Sequence, residues 1–439
     1  MPTVRFFTLG CKVNQYDTQS IRESFRKSGF KEIEDGRRAD IYVINTCTVT
    51  SRADRKSRQL IHYSHRLNPA ARIIVTGCYA ELDSSKINKI PGVTHIVKNK
   101  DKDRIPELLG GHNKPHGPNG AGITSFKNHT RAFLKIQDGC DNFCSYCKVP
   151  LVRGILKSKP LDEIAREAKG LIKNGFKEIV LCGICLGAFG RDFKKRVNPA
   201  RNTKAIINEN KISNGVNLVD AIEAIEDIEG LLRIRLSSIE ASDVSDKLIE
   251  RMARSQKLCR HLHIPLQSGD DKILKKMHRK FSRQDYLNLI RKIRRRIPAI
   301  AITTDALVGF PGEGEPNFKN TLGLVKKICP LKTHIFPYSP RPGTAAYNFK
   351  DKVSPVKIKE RVSLLKDIAR ESSLIYKKQF LNQDMDVLIE GHHTKDKGYW
   401  QGHTDNYIKV LVKSGQDLKN QLIRVRLKKI VKDCVLGVL

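Results

Sequence analysis

Residues Arg131–Cys147 read RAFLKIQDGCDNFCSYC: a short apolar run at Ala132–Ile136, then three cysteines, Cys140, Cys144 and Cys147. The run has the length and composition of a buried strand. The spacing C-x3-C-x2-C puts three thiolates on one short loop. They can ligate three irons of a cubane cluster and leave the fourth iron without a protein ligand. An iron left open in this way can bind a small molecule, as a catalytic zinc does at its open position. A structural zinc would use a fourth protein ligand, and none stands at suitable local spacing.

Outward from this segment, to about Ser373, short apolar runs alternate with helical stretches. The candidate strands are Ala132–Ile136, Glu178–Leu181, Leu232–Ser237, His261–Pro265, Ile300–Val308 and Thr333–Pro337. Six strands with intervening helices predict an α/β barrel, complete or partial, with its chemistry at the strand carboxyl ends. His261 and His263 flank one strand beside those ends, and a cavity-facing and a packed role are both open for them. Arg191–Asn217 is basic and poor in apolar residues. It reads as an exposed insertion, either a solvated loop or a contact for RNA phosphates.

Upstream, Val4–Leu9, Ile41–Ile44 and Ile73–Thr76 are apolar runs separated by helical stretches at Thr18–Ser28 and about Ala53–Arg66. Short buried strands alternating with helices predict a parallel sheet with right-handed crossovers. Cys11, Cys47 and Cys78 each follow one of the three strands. Loops beyond strand carboxyl ends form the ligand crevice of such sheets, so the three cysteines are expected to converge at one edge. Gly110–Asn128 is rich in Gly, Pro, Asn and His and reads as a linker with solvated histidines. From about Lys377 the pattern changes to strands at Met385–Ile389, Tyr407–Leu411 and Gln421–Leu427 with glycine-containing turns, a small β-barrel. Basic residues from Lys409 to Lys432 are interleaved there with Tyr399, Trp400 and Tyr407, which suits RNA binding by phosphate contact and base stacking. Trp400 and Tyr407 are equally suited to fill the barrel core. The division expected is 1–110, a linker at 111–130, 131–376 and 377–439.

The 439 residues carry 81 Lys+Arg against 46 Asp+Glu, a formal charge of +35. Such a field favours a polyanion such as nucleic acid, or serves as a lysine-rich solubilising surface. With 39% hydrophobic and 29% charged residues the chain is globular rather than disordered. No stretch approaches 18 consecutive apolar residues, and the N-terminus lacks the layout of a signal peptide, so a cytoplasmic protein without a membrane span is expected. Eleven cysteines, an odd number at irregular spacing, argue against a secreted disulfide framework. Cys182 and Cys185 form a C-x2-C; they read as packing residues, with a redox pair or metal site as the alternative. Cys259, Cys329 and Cys434 have no partner at ligand spacing and read as structural.

The C-x3-C-x2-C spacing with Tyr146 before the last cysteine resembles the signature of the radical S-adenosylmethionine (SAM) superfamily. GCKVNQYDT (Gly10–Thr18), NTCTVT (Asn45–Thr50) and TGCYA (Thr76–Ala80) resemble the N-terminal domain of the methylthiotransferases. RLSSIE (Arg235–Glu240), HLHIPLQSGDDKILKKMHRKF (His261–Phe281), GFPGE (Gly309–Glu313) and FPYSPRPGTAA (Phe336–Ala346) resemble their barrel segments. The tail is similar to the family's TRAM domain, an RNA-binding module. The resemblance covers nearly the whole chain. Within it, Thr8–Thr18 and Phe336–Ala346 are most similar to the enzymes acting on N6-threonylcarbamoyladenosine in tRNA. Ala241 stands where relatives often have Pro, and Cys182 and Cys185 where Thr and Asn are expected.

The resemblance implies a [4Fe-4S] cluster on Cys140, Cys144 and Cys147, with Tyr146 beside the cofactor, whose open iron takes SAM and yields a 5′-deoxyadenosyl radical. It implies a second [4Fe-4S] cluster on Cys11, Cys47 and Cys78, and no catalytic residue beyond the cluster ligands. One SAM would give a methyl group to sulfur on the second cluster, and another the radical. The implied reaction is methylthiolation of C2 of N6-threonylcarbamoyladenosine at tRNA position 37. The alternatives are the same chemistry on N6-isopentenyladenosine of tRNA or on a ribosomal protein side chain. Implied partners are the tRNA anticodon stem-loop, a reductant such as flavodoxin or ferredoxin, and an unspecified sulfur donor.

Overall fold

The first sheet of the computed structural model holds five parallel strands in the order β2-β1-β3-β4-β5. These are β1 (Thr3–Thr8), β2 (Lys31–Glu32), β3 (Ile41–Thr46), β4 (Arg72–Gly77) and β5 (Val93–Val97). The structure describes residues 1–33, 36–111, 122–127, 129–193, 215–394 and 396–439. Strand β3 is buried on both faces: Tyr42 and Ile44 pack with Ile61 and Ile73, while Ile41 and Val43 pack with Ile21 and Phe25. This double burial is why the strand reads as a continuous apolar run rather than an alternating one.

The helix Lys12–Lys27 starts directly after Cys11, six residues before the start expected from its apolar spacing. Its early turns bury Asn14, Asp17 and Thr18 together with Val13 and Tyr16, and the polar members hide the apolar period. Those polar groups are docking contacts. Asp17 lies between Lys102 at 2.8 Å, Lys135 at 2.5 Å and Arg153 at 3.0 Å. Tyr16 donates its hydroxyl to Glu167 at 2.7 Å.

The six expected central strands form as β6 (Arg131–Lys135), β9 (Glu178–Cys182), β10 (Arg233–Leu236), β11 (His261–His263), β12 (Ala301–Val308) and β13 (Lys332–Pro337). A short antiparallel pair, β7 (Gln137–Asp138) and β8 (Lys157–Ser158), frames the cysteine loop. The six strands pair in parallel as β6-β9-β10 and β11-β12-β13. The bridges Ile234↔Leu258 and Ser238↔His263 join the two halves into one open barrel. Its core combines Leu134, Leu181, Ile234, Leu262 and Ile302 with helix faces such as Leu248–Ile249–Met252. The expected insertion lies outside the described residues for 194–214, as does the linker for 112–121 and 128. The end of that linker is not solvated: Ile123 and Phe126 are buried, because Glu23 accepts from the backbone of Thr124 and Ser125 at 2.9 Å each.

The tail closes into a five-stranded barrel, β14-β15-β16-β18-β17, where three strands were expected. The strands are β14 (Asp384–His392), β15 (Tyr399–Thr404), β16 (Lys409–Lys413), β17 (Leu422–Val431) and β18 (Cys434–Val438). The helix Pro355–Lys378 leads into it, and Tyr376, Phe380, Trp400 and Val410 share one core with Ala301 and Leu331 of the open barrel. No helix among the described residues is long and apolar enough to cross a membrane.

Candidate active site between two cysteine triads

Cys11 caps the helix Lys12–Lys27, Cys47 follows β3 and Cys78 follows β4, all at the carboxyl edge of the first sheet. Two glycines with positive φ let the chain pass closely enough to present them. Gly10 (φ +103°) has room for a Cβ only 3.0 Å from Cys47 Cβ, and at Gly77 (φ +94°) a Cβ would stand 2.4 Å from the Thr46 carbonyl. The three expected N-terminal ligands therefore come together. Burial pushes the Cys47 thiol up to about 11, and its neighbours Cys78 and Cys11 add to that. Cations counter this at Cys78, where Arg153 donates from Nε to Sγ at 3.4 Å.

Cys140, Cys144 and Cys147 lie on the loop between β7 and the helix Val149–Arg153. Gly139 (φ +75°) begins the loop where a Cβ would stand 1.9 Å from the Ile155 carbonyl. Cys140 N–H donates to Gly154 at 3.1 Å, and Ser145 is bonded to Met277 and Lys276 at 3.1 and 2.7 Å, so the loop is held from both sides. Val149 N–H donates to Cys147 Sγ at 3.4 Å and Arg279 to Cys144 Sγ at 3.6 Å. Arg279 also pairs with Glu240, joining two of the quoted barrel segments beside the loop. The Tyr146 ring packs edge-on against Phe310 at 6.3 Å.

The donor set fits iron–sulfur clusters. Soft thiolates select such clusters, zinc or copper(I). Around one zinc at about 2.3 Å per bond, sulfurs would crowd to about 3.8 Å of one another. Among the described residues neither triad gathers its sulfurs within 4.8 Å of one another; His263, Asp305 and His334 do bring their nitrogen and oxygen donors that close. Hydrogen bonds reaching the sulfurs are a further feature of cluster sites.

The structure refines two sequence readings. Cys185 is buried, but it also sits beside the cysteine loop: Asn142 Nδ2 donates to its Sγ at 3.5 Å, and its thiol donates to Asp243 Oδ2 at 3.7 Å. It comes there because it follows β9, the neighbour of β6. Cys182 is buried with Val13, Tyr16 and Phe133, as expected. Trp400 fills the tail's core and stacks on His392 at 3.9 Å, whereas Tyr407 packs against the edge of that core and lines a cavity.

That cavity, of about 470 Å³, lies inside the open barrel, lined from strand starts such as Arg131 and His261 to the end of β10 at Leu236, and Cys11, His263, Asp305, His334 and Tyr407 also border it. It is thus bordered by all three parts of the chain. Both histidines of the HLH segment reach it, and each bonds Thr303 Oγ1 at 2.9 Å. Tyr407, in a turn with φ +68°, stacks between His261 at 4.4 Å and His403 at 4.9 Å. Arg153, Arg279, Lys12 and His334 are contributors that spacing alone did not mark. For Arg153 and Arg279 the available signal was a cation within a few residues of a cysteine motif or its quoted partner segment.

Residues 134–325 match the Radical SAM superfamily, and residues 3–98 match the family described as "Uncharacterized protein family UPF0004". With the open barrel and its cysteine loop, this makes the chain a radical SAM protein. It belongs to the methylthiotransferase family of radical SAM enzymes, whose cofactors are SAM and [4Fe-4S] clusters. It is 37% identical to threonylcarbamoyladenosine tRNA methylthiotransferase MtaB of Bacillus subtilis, over 98% of this chain and 94% of that protein. It is 36% identical to the MtaB of Thermotoga maritima, over 93% and 91%. It is 33% identical to tRNA-2-methylthio-N(6)-dimethylallyladenosine synthase of Clostridium tetani, over 96% and 93%. In fold alone it is similar to the radical SAM methyltransferase TsrM of Kitasatospora setae, with TM-score 0.51 at 13% identity over 79% of this chain and 76% of that one.

Proposed function

We propose that this enzyme methylthiolates C2 of N6-threonylcarbamoyladenosine at position 37 of tRNA, using two [4Fe-4S] clusters held by Cys140, Cys144 and Cys147 and by Cys11, Cys47 and Cys78. The observation that carries this reading is the cavity inside the open barrel that Cys11 of the N-terminal triad lines. A substrate base placed there stands beside Cys11, inside the barrel whose cysteine loop carries the other triad. C2 of adenine bears an unactivated aromatic hydrogen, which acid–base groups do not exchange for sulfur. Reductive cleavage of SAM to a 5′-deoxyadenosyl radical is what the cluster on the barrel loop supplies when bound, and the N-terminal cluster supplies a platform for the sulfur.

The chain's own residues hold the sulfurs and wall the cavity. Val149 and Arg279 fix the sulfurs of Cys147 and Cys144, and Glu240 in turn fixes Arg279. Arg153 does the same for Cys78. Tyr407 walls the cavity on the side of the tail. The basic outer face of the tail supports tRNA as the bearer of that base. Nucleoside mass spectrometry of tRNA from a host lacking this protein tests the reading. The 2-methylthio form of N6-threonylcarbamoyladenosine should vanish and its precursor accumulate; loss from the isopentenyl nucleoside instead would reject the choice of nucleoside and keep the chemistry.

A further inference from the structure

The cations around the cavity are not equally engaged. Arg235 pairs with Glu178 at 2.7 Å and gives Nη1 to the Asp405 carbonyl at 2.9 Å; Arg131 pairs with Glu390 at 3.1 Å. Lys12, directly after Cys11, is half-buried and lines the cavity, yet among the described residues its ammonium makes no ion pair or side-chain hydrogen bond. A cavity-lining ammonium without a protein partner is free to give a charge-assisted hydrogen bond to an incoming anion.

His263, Asp305 and His334 offer three donors within 4.8 Å on the same cavity, a set able to take a divalent ion. Lys12, Arg131 and Arg235 raise the potential there, which opposes a dication and favours an anion. The substrates named for the relatives differ in this respect. A threonylcarbamoyl group ends in a carboxylate, whereas a dimethylallyl group carries no polar atom.

We propose that Lys12 is a specificity-determining residue that receives the carboxylate of the substrate's N6 substituent and so selects an acidic nucleoside over an apolar one. This rests on the nucleoside assigned under Proposed function. A charge-assisted hydrogen bond in such a cavity discriminates by about tenfold to a hundredfold against a neutral partner.

The test uses reconstituted full-length protein and anticodon stem-loop RNA carrying N6-threonylcarbamoyladenosine, as the free acid or as its neutral methyl ester. For wild type, kcat/KM should favour the acid by about tenfold or more. In Lys12→Gln the acid-to-ester ratio should fall toward one, and Lys12→Arg should restore most of it. The ratio of Kd values, read by fluorescence anisotropy, gives the same comparison should Lys12→Gln turn over too slowly. A Lys12→Gln ratio equal to that of wild type overturns the proposal, whether activity is kept or abolished; so does a wild type indifferent to the ester. Wild type that methylthiolates an isopentenyladenosine stem-loop and ignores both threonylcarbamoyl RNAs overturns the assigned nucleoside and this inference with it.

Discussion

Arg153 Nε donates to the Sγ of Cys78 at 3.4 Å, so the helix that follows the barrel's cysteine loop touches a cysteine of the N-terminal triad. The same guanidinium reaches Asp17 at 3.0 Å and bonds Asn14. Burial alone would raise the Asp17 carboxyl, but Lys102, Lys135 and Arg153 hold it well below the usual range. One buried ionic cluster thus registers the two triads against each other.

Each triad should hold one cluster, giving about eight irons per chain. Replacing Cys140, Cys144 and Cys147 by Ala should leave about four irons and abolish 5′-deoxyadenosine formation. Iron analysis and chromatography of SAM products check both; retained SAM cleavage would remove the radical role from this loop.

The N-terminal triad should be separable from SAM cleavage. With Cys11, Cys47 and Cys78 replaced by Ala, 5′-deoxyadenosine should still form under dithionite while methylthio transfer stops, since the sulfur loses its platform. Full transfer in that variant would contradict the second cluster's role.

Much of this arrangement was legible in the sequence. The six central strands were visible because parallel strands buried on both faces write uninterrupted apolar runs, and the cysteine loop was visible because its three cysteines are local. The start of the helix at Lys12 was hidden by Asn14, Asp17 and Thr18, which are buried by docking to other parts of the chain and so break the apolar period. The tail's β15 and β18 were missed, and β16 was set two residues early, because short barrel strands carry few inward residues each. The cavity could not be read at all: Lys12, His334 and Tyr407 come from distant segments, and only the packed fold brings them to one wall.

Strand β17 presents Arg424, Arg426 and Lys428 outward while Val425 and Leu427 are buried. Arg426→Glu with Lys428→Glu should weaken tRNA binding and flatten its dependence on salt, by about one unit of log–log slope for each phosphate no longer neutralised. Anisotropy titrations across a range of KCl concentrations measure this; an unchanged slope would place the tRNA on another face.

Glu390 lies 2.7 Å from His403 Nδ1 and 3.1 Å from Arg131. Burial pushes its carboxyl up, but His403, Arg131 and Arg235 outweigh this and hold it at about 2. The folded pKa is below the unfolded one, so its stabilisation is complete above about pH 4.3 and is lost as pH falls from there toward the folded value. Burial likewise lowers the pKa of His403, which adds to the loss of stability on acidification. Glu390→Gln should cost on the order of 3 kcal/mol near neutrality and progressively less in acid. Thermal melts of both proteins across the pH range check this; a Tm difference constant with pH would contradict it.

The most direct test of the two-triad account is a single turnover assay. Reconstituted protein is mixed anaerobically with dithionite, SAM and an anticodon stem-loop RNA carrying N6-threonylcarbamoyladenosine, and the digested nucleosides are read by mass spectrometry. The account predicts the 2-methylthio nucleoside together with 5′-deoxyadenosine in wild type, and 5′-deoxyadenosine alone when Cys11, Cys47 and Cys78 are replaced. Abundant 5′-deoxyadenosine with an unaltered nucleoside in the wild-type reaction would contradict it.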